Sequence, residues 1–110
     1  MNELEFRDRL HIEVTVLEFW IEQGWVIPAA EQGRRRFREI DLARGELIRD
    51  LTDRMGVNDD GIDIVMDLLD QIHGLRSTLN DIMAAISRQG EDVQYRILRD
   101  MDRPRPGRRR

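Results

Sequence analysis

The residues best placed to do chemistry are aspartates. Asp60, Asp63, Asp67, Asp70 and Asp81 recur at helical spacing, so in a helix they share one face. A row of carboxylates of this kind can complement a basic protein surface, or simply keep an exposed helix face wet. Aspartate is a poorer helix former than glutamate, so four in near succession exceed what solubility requires. Metal binding is disfavoured, because no loop or histidine in the row closes a coordination sphere. The second chemical feature is Arg34, Arg35 and Arg36, with Arg38. These are candidate nucleic-acid contacts; they could equally meet an acidic partner or pair with acids nearby. The two histidines, His11 and His73, are too far apart to form a site. No nucleophile–base spacing and no glycine-rich phosphate loop is present, so no catalytic residue, metal or cofactor is expected.

Charge sharpens this reading. The formal net charge is −4, and every basic residue is arginine. The last eight residues hold five of the 18 basic residues and no acid, leaving 13 basic against 22 acidic residues in the body, a formal −9. An acidic body repels nucleic acid and attracts basic protein surfaces. There are no cysteines, so disulfides and thiolate metal sites are excluded. No signal-like leader or membrane-length apolar run occurs, and a soluble, cytoplasmic protein is expected.

The elements that must position these residues follow from period and punctuation. Asn2 with Glu5 forms a capping box for a first helix, with Leu4, Phe6 and Leu10 as inward candidates. After a tight turn at His11-Ile12, Val14, Leu17, Ile21 and Trp20 outline a second helix that Gly24 ends. Trp25 to Pro28 is short and β-prone, Glu31-Gln32-Gly33 supplies a turn, and Arg34 to Phe37 returns as a second strand. Ile40, Ala43, Leu47, Ile48 and Leu51 give a third helix from Glu39, closed by Gly56. Asn58 then caps a long helix over 58–89. Along it Val65, Leu68, Ile72, Leu75, Leu79, Ile82 and Ile86 alternate steps of three and four, a heptad stripe. Ile62, Met66, Leu69 and Met83 form a flanking track, densest in the first half, so that the helix has a wider face near its start suited to a core. Residues 90–102 carry only a weak helical pattern, and 103–110 form an arginine-rich tail expected to be disordered.

The architecture expected is therefore mainly α: a winged helix-turn-helix over 1–57 with a small β-hairpin wing, then a long coiled-coil-like helix, in one domain over 1–102. This order resembles the MerR-like superfamily, on Leu17, Gly24-Trp25-Val26-x-Pro28 and Phe37-x-x-x-Asp41-Leu42-x-Arg44. Within it the sequence looks most like the CbpM family of bacterial chaperone modulators. The carrying residues are Glu5-Phe6, Asp41-x-Ala43-Arg44, Leu47-Ile48-x-Asp50-Leu51, Gly56-Val57-Asn58-Asp59-x-Gly61-Ile62 and Leu68-Leu69-Asp70-Gln71-Ile72-His73-x-Leu75-Arg76. The resemblance spans about Leu4 to Ile86. His11, where a glycine is common, and the arginine tail depart from the family pattern.

The resemblance implies a non-enzymatic protein that binds the J-domain of a CbpA/DnaJ-like co-chaperone and inhibits it. J-domains carry a basic helix, to which Asp60, Asp63, Asp67 and Asp70 are the expected complement, with Glu18 and Glu22 alongside. It also implies an antiparallel homodimer, whose seam is Leu75, Leu79, Ile82 and Ile86. The alternative is a MerR-like DNA-binding transcriptional regulator. Against it, the helix that would read DNA carries Glu13, Glu18 and Glu22, and no arginine occurs from Val14 to Ile27. Nucleic-acid binding is expected to be at most weak and nonspecific.

Overall fold

A computed structural model describes residues 1–102. The structure begins with α1 (Glu3–Leu10), α2 (Val14–Glu22), β1 (Ala29–Glu31), β2 (Arg34–Arg36) and α3 (Glu39–Arg49). A single π-helical turn, Asp50–Arg54, extends α3 before α4 (Asp59–Ser87) and α5 (Glu91–Met101). The winged helix-turn-helix and the long helix expected from sequence are both present. The arginine-rich tail lies outside the described residues.

Contacts divide the chain into a first unit, Met1–Leu69, and a second starting at Asp70. The first unit's core contains Phe6, Leu10, Leu17, Trp20, Trp25, Val26, Phe37, Leu42, Ile48, Ile62 and Met66. Phe6 and Phe37 stack at its centre, ring centroids 4.2 Å apart. Burying a side chain of this size contributes about 1.5–3 kcal/mol, so these few residues dominate the unit's stability. Gly45 makes the close packing of α3 feasible, since a Cβ there would lie 2.5 Å from a Leu10 methyl and 3.3 Å from the Trp20 ring.

Local signals explain the breaks. Asn2 accepts from Glu5 N–H while Glu5 accepts from Asn2 N–H, both at 2.9 Å, so the capping box is complete. His11 adopts the left-handed conformation (φ 54°) that ends α1. At the end of α2, Gly24 (φ +76°) donates to Ile21 O and Trp25 donates to Trp20 O, each at 3.0 Å. This double bond pattern reverses the chain and sends Trp25 inward. Asn58 Oδ1 accepts from Gly61 N–H at 2.9 Å and caps α4.

Several sequence expectations require correction. The first strand does not run from Trp25 to Pro28 but begins at Ala29. Trp25 and Val26 are buried, so these residues serve the core and leave no free edge for pairing. The hairpin pairs Ala29 with Arg36 and Glu31 with Arg34 around Gln32-Gly33, both with positive φ. Leu4, Val14 and Ile40 are exposed rather than inward. On α3 the buried face is Asp41, Leu42, Gly45 and Ile48, and Ala43 points out. Asp41 tolerates this burial because Arg38 N–H (2.9 Å) and the Arg38 guanidinium (3.2 and 3.3 Å) both donate to it. Residues 91–101, ambiguous in sequence, form α5. Gly90 is its N-cap, and Gln94 Nε2 donates to Gln89 O at 2.8 Å across the corner.

Candidate protein-interaction surface

At 3.6 residues per turn, α4 carries three stripes roughly 120° apart. Ile62 and Met66 are buried in the first unit's core, with Leu69 packed partly against it. The aspartates form the second stripe. The heptad seam is the third, and it is open in the single chain: Leu75 is 70% and Leu79 56% exposed, with Leu68, Ile72 and Ile82 also exposed, as is Met83 of the flanking track. Ile86 is half-buried. The core track and the seam are thus different faces, so folding of the first unit leaves the seam uncovered.

The acidic stripe is not uniform. Asp60, Asp67 and Asp70 are exposed. The Asp63 residue is exposed too, yet its Oδ1 accepts a 2.9 Å hydrogen bond from Trp25 Nε1. Trp25 is 3% exposed, and Phe19 of α2 meets its ring edge-on, with centroids 5.4 Å apart. Arg44 Nε donates to Trp25 O at 2.7 Å, and Arg38 Nη2 donates to Ile27 O at 3.0 Å. Two arginines of the α3 region therefore pin the segment that delivers Trp25 to Asp63.

The wing arginines are mostly engaged within the fold. Arg35 meets Glu18 of α2 through two hydrogen bonds, 2.5 and 3.2 Å, and Glu3 of α1 at 3.2 Å. Its hydrogen bonds to Glu18 hold that carboxyl below the usual carboxylate range; burial opposes the shift and the nearby positive charge adds to it. The same bonding raises Arg35 above its ordinary value. Arg36 pairs with Glu31 at 3.3 Å and Arg38 with Asp41 at 3.2 Å. Arg34 has no ion pair among the described residues and stands exposed at the start of β2. Glu22 is exposed at the end of α2.

The model of the MerR helix-turn-helix family regulatory proteins matches residues 3–83. This chain belongs to that family. No curated protein and no solved structure matches it. In this MerR-family chain the match covers α1 through most of α4 and leaves α5 beyond it.

Among the described residues, no group of three or more histidines and acids could hold a metal ion, and no helix is long and apolar enough to cross a membrane. Sequence reasoning placed Glu18 and Glu22 near the aspartates but missed Glu18's engagement by Arg35 and Asp63's by Trp25. The available signal was Gly24, whose helix-ending role turns Trp25 inward; nothing local names a partner 38 residues away. It also missed an open groove of about 500 Å³ beside α2, lined by residues of α2, the π-helical turn and the first turn of α4.

Proposed function

We propose that this MerR-family protein regulates by contacting protein: it binds the basic helix of a J-domain in a CbpA/DnaJ-like co-chaperone and inhibits it, with no reaction of its own. The observation carrying this reading is the Glu18–Arg35 pair. The helix that would enter a DNA groove presents a carboxylate there, and that carboxylate engages the central arginine of the wing. Glu13 and Glu22 extend the negative charge along the same helix, and Val16 is exposed beside them. Glu13 and Glu22, which no wing arginine engages, would repel DNA phosphates, whereas a cationic protein helix would meet complementary charge there. Asp60 and Asp67, in the first unit, add exposed carboxylates on α4. The uncovered seam of Leu75, Leu79 and Ile82, with Ile86, supports a homodimer.

A second reading is a DNA-binding transcription regulator, favoured by the family match and by exposed Arg34. Two titrations separate them. The full chain is titrated calorimetrically with an isolated J-domain, and in parallel with promoter-length duplexes at rising salt. The proposal expects saturable J-domain binding that weakens with salt. It expects only weak, sequence-indifferent DNA binding, most of it lost on truncation after Met101. Reversing Asp60 and Asp67 to Arg should weaken J-domain binding more than reversing Glu91 and Asp92. A defined DNA footprint that survives the truncation, with no J-domain binding, overturns the proposal in favour of the regulator.

A further inference from the structure

The groove beside α2 combines two properties that rarely coincide on a wetted surface. Its floor is apolar, formed by Ile12, Val16 and Phe19 with the buried Trp20 and Trp25. Val16 is 38% exposed, a β-branched side chain left partly uncovered in the first turn of α2. Its rim carries three carboxylates, Glu13, Asp53 and Asp59, against one guanidinium, Arg49. Arg49 is already engaged: its Nε and Nη2 reach Asp53 at 3.1 and 2.9 Å, and its Nη1 donates to Leu10 O. Glu13 and Asp59 have no ion-pair partner among the described residues. The groove therefore offers oily contact area below and unneutralised negative charge at its edge.

We infer that this groove seats a cationic amphipathic helix of a partner protein. An apolar side chain of that helix packs on Val16 and Phe19, and an arginine or lysine one turn away reaches Glu13 or Asp59. Helix-in-groove recognition uses this arrangement, with apolar anchors for affinity and flanking charges for orientation. The volume lies within the ~300–1,000 Å³ that ligand pockets occupy, and its open form suits a helix better than an enclosed small molecule. Charge complementarity selects the cationic partner: a neutral helix would leave both carboxylates partly desolvated and unpaired. The Trp25–Asp63 bond couples this groove to the acidic stripe, since Trp25 contributes to the floor and Asp59 stands one turn before Asp63. The inference deepens the J-domain reading and rests on it for the identity of the partner.

The test uses the full chain with two probes. One is an isolated J-domain; the other is a synthetic helix of leucine, alanine and arginine, with a glutamate-for-arginine version as its counterpart. Val16→Arg blocks the groove, while Val14→Arg places the same charge on an equally exposed valine of α2 outside it. Circular dichroism and thermal melts confirm that both variants fold. Val16→Arg should weaken both probes by about tenfold or more, Val14→Arg by about twofold at most, and the glutamate helix should not bind. J-domain binding that Val16→Arg leaves unchanged, or that both variants reduce equally, overturns the groove while the J-domain reading stands. Groove-dependent binding of the arginine helix without J-domain binding sustains the groove and removes the J-domain. Binding of neither probe removes both.

Discussion

Trp25 Nε1 donates to Asp63 Oδ1 at 2.9 Å, joining the end of the helix-turn-helix to the second turn of the long helix. A residue that spacing alone assigns to an outward acidic row is thereby part of the fold's internal bracing. The indole is almost wholly buried, so its N–H needs a partner. The same bond stands between the core and the surface proposed to meet a partner.

Asp63→Leu should therefore destabilise the protein by about 1–3 kcal/mol, the usual cost of leaving a buried donor unpaired. Trp25→Phe combined with Asp63→Leu should cost less than the two single changes added together. Urea unfolding of the four proteins gives that coupling directly. Additive costs would show that the bond contributes nothing to stability. Reversal of Asp63 to Arg would for the same reason confound folding with partner binding, which is why Asp60 and Asp67 are the residues reversed to test it.

The Glu18–Arg35 pair makes a prediction about pH. Glu18 has its folded pKa lowered, first by the Arg35 hydrogen bonds. A lowered carboxylate pKa contributes stability that is present above the ordinary glutamate range and is lost as pH falls through the lowered value. Arg35→Gln should return the Glu18 midpoint upward to the ordinary range, read from the side-chain carboxyl carbon by NMR titration. A midpoint that does not move would show that Arg35 is not the cause. Because Glu18 is solvent-exposed, the effect on overall stability should be small.

The uncovered seam predicts assembly. Leu79 and Ile82 are 56% and 50% exposed in the single chain, an unusual density of apolar surface on a helix. The unmodified protein should sediment as a dimer at concentrations on the order of tens of micromolar. Leu79→Asp with Ile82→Asp should give a monomer with an unchanged first-unit melting transition, because neither residue belongs to that core. A monomer before mutation would refute the seam's role.

Much of the architecture was legible because its signals are local. A capping box joins residues three apart, a glycine ends a helix in place, and a heptad stripe needs only its own helix to be recognised. The MerR-like arrangement and the long helix followed from these signs in order. The first strand was misplaced because Trp25 and Val26 look like strand residues, and only the packed core shows that they are buried in it. Ile40 and Ala43 were misassigned for a related reason. Helical spacing offers several adjacent stripes, and α3 buries the one containing Asp41, a charged residue whose burial the Arg38 hydrogen bonds make possible.

The site divides along the same line. Sequence by itself determined that α2 is acidic and that α4 carries separate oily and acidic stripes, since these depend on residue type and spacing within one element. Tertiary structure alone decided that Glu18 holds Arg35, that Asp63 holds Trp25, and that Val16 and Phe19 floor a groove rimmed by Glu13 and Asp59. Those pairings cross 17 and 38 residues of chain. A hydrogen bond extends only about 3 Å, so its partners are set by how the turns at Gly24 and Gly56 and the shared core bring the helices together, which no local pattern encodes.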